Sequence, residues 1–155
     1  MIIARRMLFA AALAAASISF GHAAEPLPRP GAYEVEVRLE LQNVLSWSPQ
    51  RVATICLPAD EDAAPFPVLS ANNPLADCAV NGIQRDGARL TFNLACSGRG
   101  AAVAWASYSL KPEEFRGRIA MVMGGKNMTM TEVQFGRRVG DCDASAAPTR
   151  DGSSE

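Results

Sequence analysis

Apolar and polar residues alternate along most of the chain beyond residue 30, and an alternation with a period of two predicts β-strands. In the clearest run, apolar residues at every second position from Tyr33 share one face, while charged residues such as Glu34 and Arg38 share the other. One buried and one wetted face is typical of an antiparallel strand. Similar patterns predict further strands over residues 51–57, 78–84, 89–97, 101–110, 115–123 and 127–138.

Short turn sequences separate several of these runs, and the strongest signal is Arg85-Asp86-Gly87. Gly98-Arg99-Gly100 and Gly124-Gly125-Lys126 follow the same rule. No stretch after residue 24 shows helical periodicity over about ten residues. The chain is therefore predicted to be all-β, as a small antiparallel β-barrel, half-barrel or sandwich of about seven to eight strands.

One long loop interrupts the alternation at residues 58–74, which contain four prolines and the acidic run Asp60-Glu61-Asp62. A connection of about 17 residues is long for a compact domain. We expect it to be a lid, a cover or an excursion closed by a disulfide bond between Cys56 and Cys78. A short helical turn is expected near Asp60.

The N-terminus has the pattern of a secretion signal, with a short basic segment, an apolar run over residues 8–20 and small residues before Glu25. The apolar run is shorter than the roughly 20 residues that span a bilayer, so we expect cleavage after Ala23 or Ala24, no membrane span afterwards, and a periplasmic protein. The predicted organisation is a signal peptide at 1–24, one all-β domain at 25–142 and a disordered tail at 143–155.

Four cysteines lie beyond the predicted signal, at spacings that contain no CxxC pair. An even number of cysteines in an exported protein predicts two disulfide bonds, for which three connectivities are possible. We favour Cys56–Cys78 with Cys96–Cys142, because each pair joins the ends of predicted strands.

Composition excludes some functions. The chain carries 15 Lys+Arg against 16 Asp+Glu, a formal net charge of −1, and so lacks the basic excess of a nucleic-acid-binding protein. Its one histidine, His22, lies in the predicted signal. Catalysis by Ser-His or Cys-His pairs and histidine-ligated zinc are therefore not expected after cleavage, and we predict that the protein is not an enzyme.

Several motifs resemble one known family, whose pattern includes an opening P-G-x-(W/Y)-E-(V/I)-x-V strand, cysteine-bearing segments and a closing G-R-R-x-G-x-C. The matching segments are Pro30-Gly31-Ala32-Tyr33-Glu34-Val35-Glu36-Val37, Thr54-Ile55-Cys56-Leu57, Cys78-Ala79-Val80, Cys96 and Gly136-Arg137-Arg138-Val139-Gly140-Asp141-Cys142. The chain thus resembles the small exported bacterial proteins catalogued as domain of unknown function 3617. The resemblance covers about residues 30 to 142 and implies export, disulfide bonds and an all-β fold, but no activity.

Four methionines form a candidate metal site. If residues 124–127 form a hairpin loop, Met123 pairs with Met128 and Met121 with Met130, and all four thioethers share one face. Soft thioethers select Cu(I), so one hypothesis is a copper-handling protein. The alternative is that the methionines only fill gaps in the hydrophobic core.

Aromatic and basic residues suggest a different site. Phe92 and Trp105 are candidates to line an apolar ligand cavity, and Arg137 or Arg138 could bind an anionic group. The preferred hypothesis is a non-enzymatic periplasmic domain that binds a small apolar or amphiphilic ligand or an envelope protein partner. The alternatives are Cu(I) handling and a purely structural envelope protein, and no other cofactor is expected.

Overall fold

The computed structural model describes residues 27–41, 50–59, 66–98, 101–124 and 128–142. The predicted signal peptide, the predicted tail and the turn expected near Asp60 lie outside these ranges. Within them, no helix is long and apolar enough to cross a membrane.

Seven strands and one short 3-10 turn make up the fold. The strands are β1 (Gly31–Leu41), β2 (Gln50–Leu57), β3 (Ala79–Asp86), β4 (Arg89–Ala95), β5 (Val103–Leu110), β6 (Glu114–Met123) and β7 (Met128–Gly140), and the turn is Pro74–Asp77. The prediction of an all-β fold is confirmed, and the strands agree with the predicted runs to within a few residues at each end.

The strands form one antiparallel sheet in the order β2-β1-β7-β6-β5-β4-β3. Strands β3 to β7 follow one another as a meander, and the hairpin of β1 and β2 adds to it through β1. Among the described residues, β2 and β3 are edges that do not pair with each other. The sheet is therefore open, and of the architectures that the sequence allowed, a half-barrel fits it.

The two faces of the sheet differ sharply in burial. On β1 and β4 to β7 the inner face, defined by Tyr33, Phe92, Tyr108 and Phe115, is largely buried, whereas the edge strand β3 is mostly exposed. Two glycines make room for these rings. A Cβ on Gly117 would lie 2.0 Å from the Tyr108 ring, and a Cβ on Gly136 would lie 2.2 Å from the Phe115 ring. The outer face carries the polar residues of the alternation and is largely open to water.

A single sheet must bury its apolar face against another layer. Here the layer is residues 66–77, which we call the cover segment. The Phe66 ring stacks on Tyr108 at 4.2 Å and contacts Phe115 edge-on at 4.5 Å, while Leu75 is also fully buried. The long loop expected from the prolines thus acts as a cover, and its described helical turn lies at Pro74–Asp77.

The disulfide bonds join Cys56 to Cys142 and Cys78 to Cys96, so the pairing favoured from sequence is wrong. The reason is strand order. Ala79 pairs with Ala95, which places the flanking Cys78 and Cys96 opposite each other, with their Cα atoms 4.7 Å apart. Cys56 lies at the other edge of the sheet, on β2, and its Cα is 5.6 Å from that of Cys142 just beyond β7. The Cys56–Cys78 excursion therefore does not exist.

Candidate functional site

Phe92 and Trp105, which were expected to line one ligand cavity, lie on opposite faces of the sheet. Phe92 pairs with Ala106 and is buried, whereas Trp105 pairs with Asn93 and lies on the outer face, 55% exposed. Side chains of neighbouring strand residues point to opposite faces, so the two aromatic rings cannot line one cavity. The expectation of a shared site is wrong, and Phe92 belongs to the core beside Tyr108.

The methionine pairs form as the hairpin hypothesis predicts. Met121 pairs with Met130 and Met123 with Met128, which places all four on one face. Met121 is buried and its Sδ accepts a hydrogen bond from Asn73 at 3.1 Å, while Met128 is 48% exposed. Met123 and Met130 pack against the hydrophobic core. These contacts are those of core residues, and copper binding stays a prediction.

The two adjacent arginines of the closing motif have different roles. Arg138 donates from Nε to the Pro30 carbonyl at 3.1 Å and forms an ion pair with Asp141, so it fastens the end of β7 to the start of β1. Arg137 is exposed on the outer face, with its guanidinium 5.8 Å from the centre of the Phe135 ring. Only Arg137 is therefore placed to meet a ligand.

Two cross-strand rows organise the middle of the outer face. The strand register aligns side chains of β4, β5, β6 and β7 that lie directly opposite one another, close enough to act together. The first row is Arg89, Ser109, Arg116 and Phe135, and the second is Thr91, Ser107, Arg118 and Val133.

These rows enclose a groove of about 760 Å³ that we call the arginine groove. Its lining includes three arginines and two serines, with Val133 along one side: Arg89, Ser107, Ser109, Arg116, Arg118 and Val133. One acidic residue, Asp86, also borders it. The groove is therefore cationic, with hydroxyl groups between the guanidinium groups.

The guanidinium groups of the groove are only partly engaged. Arg118 forms an exposed ion pair with Glu40 at 2.7 Å, and Arg116 lies 5.1 Å from the centre of the Phe135 ring. Within the described part of the chain, neither Arg89 nor Arg116 forms an ion pair. Because Arg is always charged and presents a planar fork of donors, these groups suit a phosphate or carboxylate.

The charge of this face also acts on a neighbouring carboxyl. A hydrogen bond from Lys111 lowers the pKa of Glu114, and the charges of Arg116 and Arg137 lower it further. The effect agrees with a surface that stabilises negative charge.

Two apolar side chains of β7, Phe135 and Val133, form a ridge beside the arginine groove. Phe135 and Val133 line a second, smaller groove of about 400 Å³ between β7 and β2, and Val133 lines both grooves. The outer face thus places apolar side chains directly beside guanidinium groups.

Sequence reasoning did not single out Arg89, Arg116, Arg118 or Phe135. Arg116 and Arg118 alternate with apolar residues on one strand, as do Ser107 and Ser109, which was a usable signal. What the sequence could not provide was the register that aligns the serines with the arginines.

Comparison with known proteins returned one match. A family model described as "Protein of unknown function (DUF3617)" matches residues 28–142. No curated protein and no solved structure matches the chain.

Proposed function

Because the chain belongs to the DUF3617 family, which carries no assigned activity, we propose a function from its own surface: an exported, non-enzymatic protein that binds an anionic amphiphile on the outer face of the sheet. The disulfide bonds are compatible with export to an oxidising compartment. The lack of histidine after the predicted signal supports a binding role rather than catalysis.

The arginine groove is the observation that carries this proposal. Three arginines converge on it, and one of them is bound to a carboxylate within the described residues. Hydrogen bonds between guanidinium and an anionic oxygen are roughly twice as strong as neutral ones. Ser107 and Ser109 add hydroxyl donors at the same place. An anionic head group would meet several donors at once.

The neighbouring ridge favours a ligand with an apolar part. Phe135 and Val133 lie directly opposite Arg116 and Arg118 on the neighbouring strand, on the same face. An alkyl chain that leaves the groove would cover these side chains and gain from the removal of apolar surface from water. The inner face is filled by the cover segment, so the outer face accommodates the apolar part better.

The test is isothermal titration calorimetry with dodecyl phosphate, compared with octaethylene glycol monododecyl ether, which has the same alkyl chain and a neutral head without a sugar. We expect dodecyl phosphate to bind the protein at least about tenfold more tightly, because charge-assisted hydrogen bonds contribute about 1.5–3 kcal/mol each. Combining Arg116→Gln with Arg118→Gln should remove about tenfold or more of that affinity.

Arg85→Gln is the matched control, since Arg85 is an exposed arginine on the edge strand β3 and lines neither groove. Its affinity for dodecyl phosphate should stay within about twofold of the original protein. Equal affinity for the two detergents, or an undiminished affinity after both groove substitutions, would refute the proposal.

A further inference from the structure

Trp105 is the largest exposed aromatic residue of the described chain and is not part of the arginine groove. It lies on the outer face of β5, 55% exposed. Burial of a tryptophan removes a large apolar area from water, so its placement on an open face forgoes a stabilising contribution. Tryptophan is enriched at binding interfaces, where its ring packs against a partner and its N–H finds an acceptor.

The residues directly opposite Trp105 are small or short, and more than half of Trp105 stays exposed. In the strand register it lies between Asn93 on β4 and Ala120 on β6, both exposed. Directly opposed residues on adjacent strands are the nearest cross-strand neighbours of a side chain. Since one is a short amide and the other a methyl group, no bulky cross-strand neighbour shields the ring.

Polar groups border one side of Trp105. Asn81 pairs with Asn93 one strand further out, and Ser107 is two residues along β5 on the same face. In the described structure, the side chains of Asn93 and Ser107 make no hydrogen bond, and Asn81 donates one from Nδ2 to the carbonyl of Ala79, two residues earlier, at 3.3 Å. Amide and hydroxyl groups can both donate and accept.

We propose that Trp105, together with Asn81, Asn93 and Ser107, binds a pyranose ring of an oligosaccharide. A pyranose presents a flat patch of C–H groups, which suits the electron-rich face of an indole, and its rim carries hydroxyl groups that can donate and accept. A purely apolar partner would bury the asparagine amides without hydrogen bonds, at a cost in free energy. A sugar satisfies the ring and the amides together.

This site does not depend on the arginine groove, because its chemistry requires no charge. The two surfaces adjoin at Ser107, which lines the groove and is two residues from Trp105 on the same face of β5. The experiment therefore uses neutral sugars, so that a failure of anion binding and a failure of sugar binding are seen separately.

The test is a fluorescence and calorimetric titration of the protein with cellotriose and with triacetylchitotriose. Trp47→Phe is introduced first, because the chain has two tryptophans and the signal must come from Trp105. We expect at least one sugar to shift the Trp105 emission and to bind with a dissociation constant in the millimolar range or tighter. Trp105→Ala should weaken binding at least tenfold and Asn93→Ala severalfold, while Trp105→Tyr should retain most of the affinity.

Two controls make the outcome decisive. Circular dichroism should show an unchanged fold for Trp105→Ala, and Arg116→Gln should bind the sugar as the original protein does. The proposal is overturned if neither sugar binds, or if Trp105→Ala binds as well as the original protein. It is also overturned if Trp105 emission shifts with phosphatidylglycerol vesicles but not with sugar, since the residue would then face a membrane surface.

Discussion

At the scale of single residues, Tyr108 joins the aromatic core to the buried side chain of Gln134. Its ring lies between Phe66 and Phe92, and its hydroxyl donates to Gln134 Oε1 at 3.0 Å in a buried environment. Burial, helped by the nearby charge of Glu132, raises the Tyr108 pKa well above its usual value of 10.0. The neutral phenol is therefore strongly preferred in the folded state.

This shift predicts a loss of stability in alkali. The folded protein holds the Tyr108 proton at pH values where the unfolded chain releases it, so the free energy of unfolding falls as pH rises above 10. Urea denaturation at about pH 8 and about pH 11 should show a smaller alkaline loss for Tyr108→Phe than for the original protein.

Tyr33→Phe provides the comparison, because burial also raises the Tyr33 pKa, although by less, while Arg138 opposes the shift. Between about pH 8 and about pH 11, Tyr33→Phe should lose less unfolding free energy than the original protein and more than Tyr108→Phe. An alkaline loss that is identical in all three proteins would show that the buried phenols do not cause it.

At the scale of elements, a buried carboxylate holds the cover segment on the sheet. Glu132 on β7 is fully buried and accepts hydrogen bonds from the backbone N–H of Leu69 at 2.8 Å and of Ser70 at 2.9 Å. Gln134 donates to the same carboxylate at 2.6 Å and to the Pro67 carbonyl at 2.8 Å. A buried anion requires such donors, since without them its desolvation would be very costly.

Glu132→Gln tests this attachment. The amide keeps one acceptor oxygen but places an N–H₂ group against one of the donors, so the free energy of unfolding should fall by about 1–3 kcal/mol. Hydrogen exchange at the amides of Leu69 and Ser70 should accelerate more than at the centre of β6. Glu34→Gln is the matched control on the exposed outer face, and its effect should stay below about 0.5 kcal/mol. Unchanged exchange at both amides in Glu132→Gln would contradict the assigned role.

The elements also show how far sequence reasoning reaches. Alternation located the strands because burial of one face leaves a local trace, and the pairing of Met123 with Met128 followed from hairpin geometry alone. The docking of Phe66 left no such trace, since it depends on contacts with Tyr108 and Phe115, more than 40 residues away. Glu132 was equally hidden, because a single charge at an inner-face position gives no local indication of its partners.

At the scale of the whole molecule, the disulfide pairing depends on the order of strands in the sheet, which no local pattern contains. Cys56–Cys142 joins residues 86 apart and Cys78–Cys96 residues 18 apart. In the chain-entropy model the longer loop stabilises the fold by about 5 kcal/mol and the shorter one by about 3 kcal/mol.

Replacing each pair by alanine tests this difference. The variant with Cys56→Ala and Cys142→Ala should lose more unfolding free energy in urea than the variant with Cys78→Ala and Cys96→Ala. Each variant is the control for the other, since both remove two sulfur atoms. If the short-loop variant is the less stable one, local strain or packing outweighs the loop entropy and the expectation fails.

The central claim at this scale is a division of labour between the two faces: the inner face stabilises the fold, and the outer face binds ligand. Methyl-resolved NMR during a titration with dodecyl phosphate tests it most directly. Val133 reports on the outer face and Val35 on the buried inner face. The account predicts progressive shifts at the Val133 methyl groups and at the side-chain Nε–H of Arg116, with Val35 unchanged. Shifts at Val35 with Val133 unmoved would place the ligand under the cover segment and contradict the account.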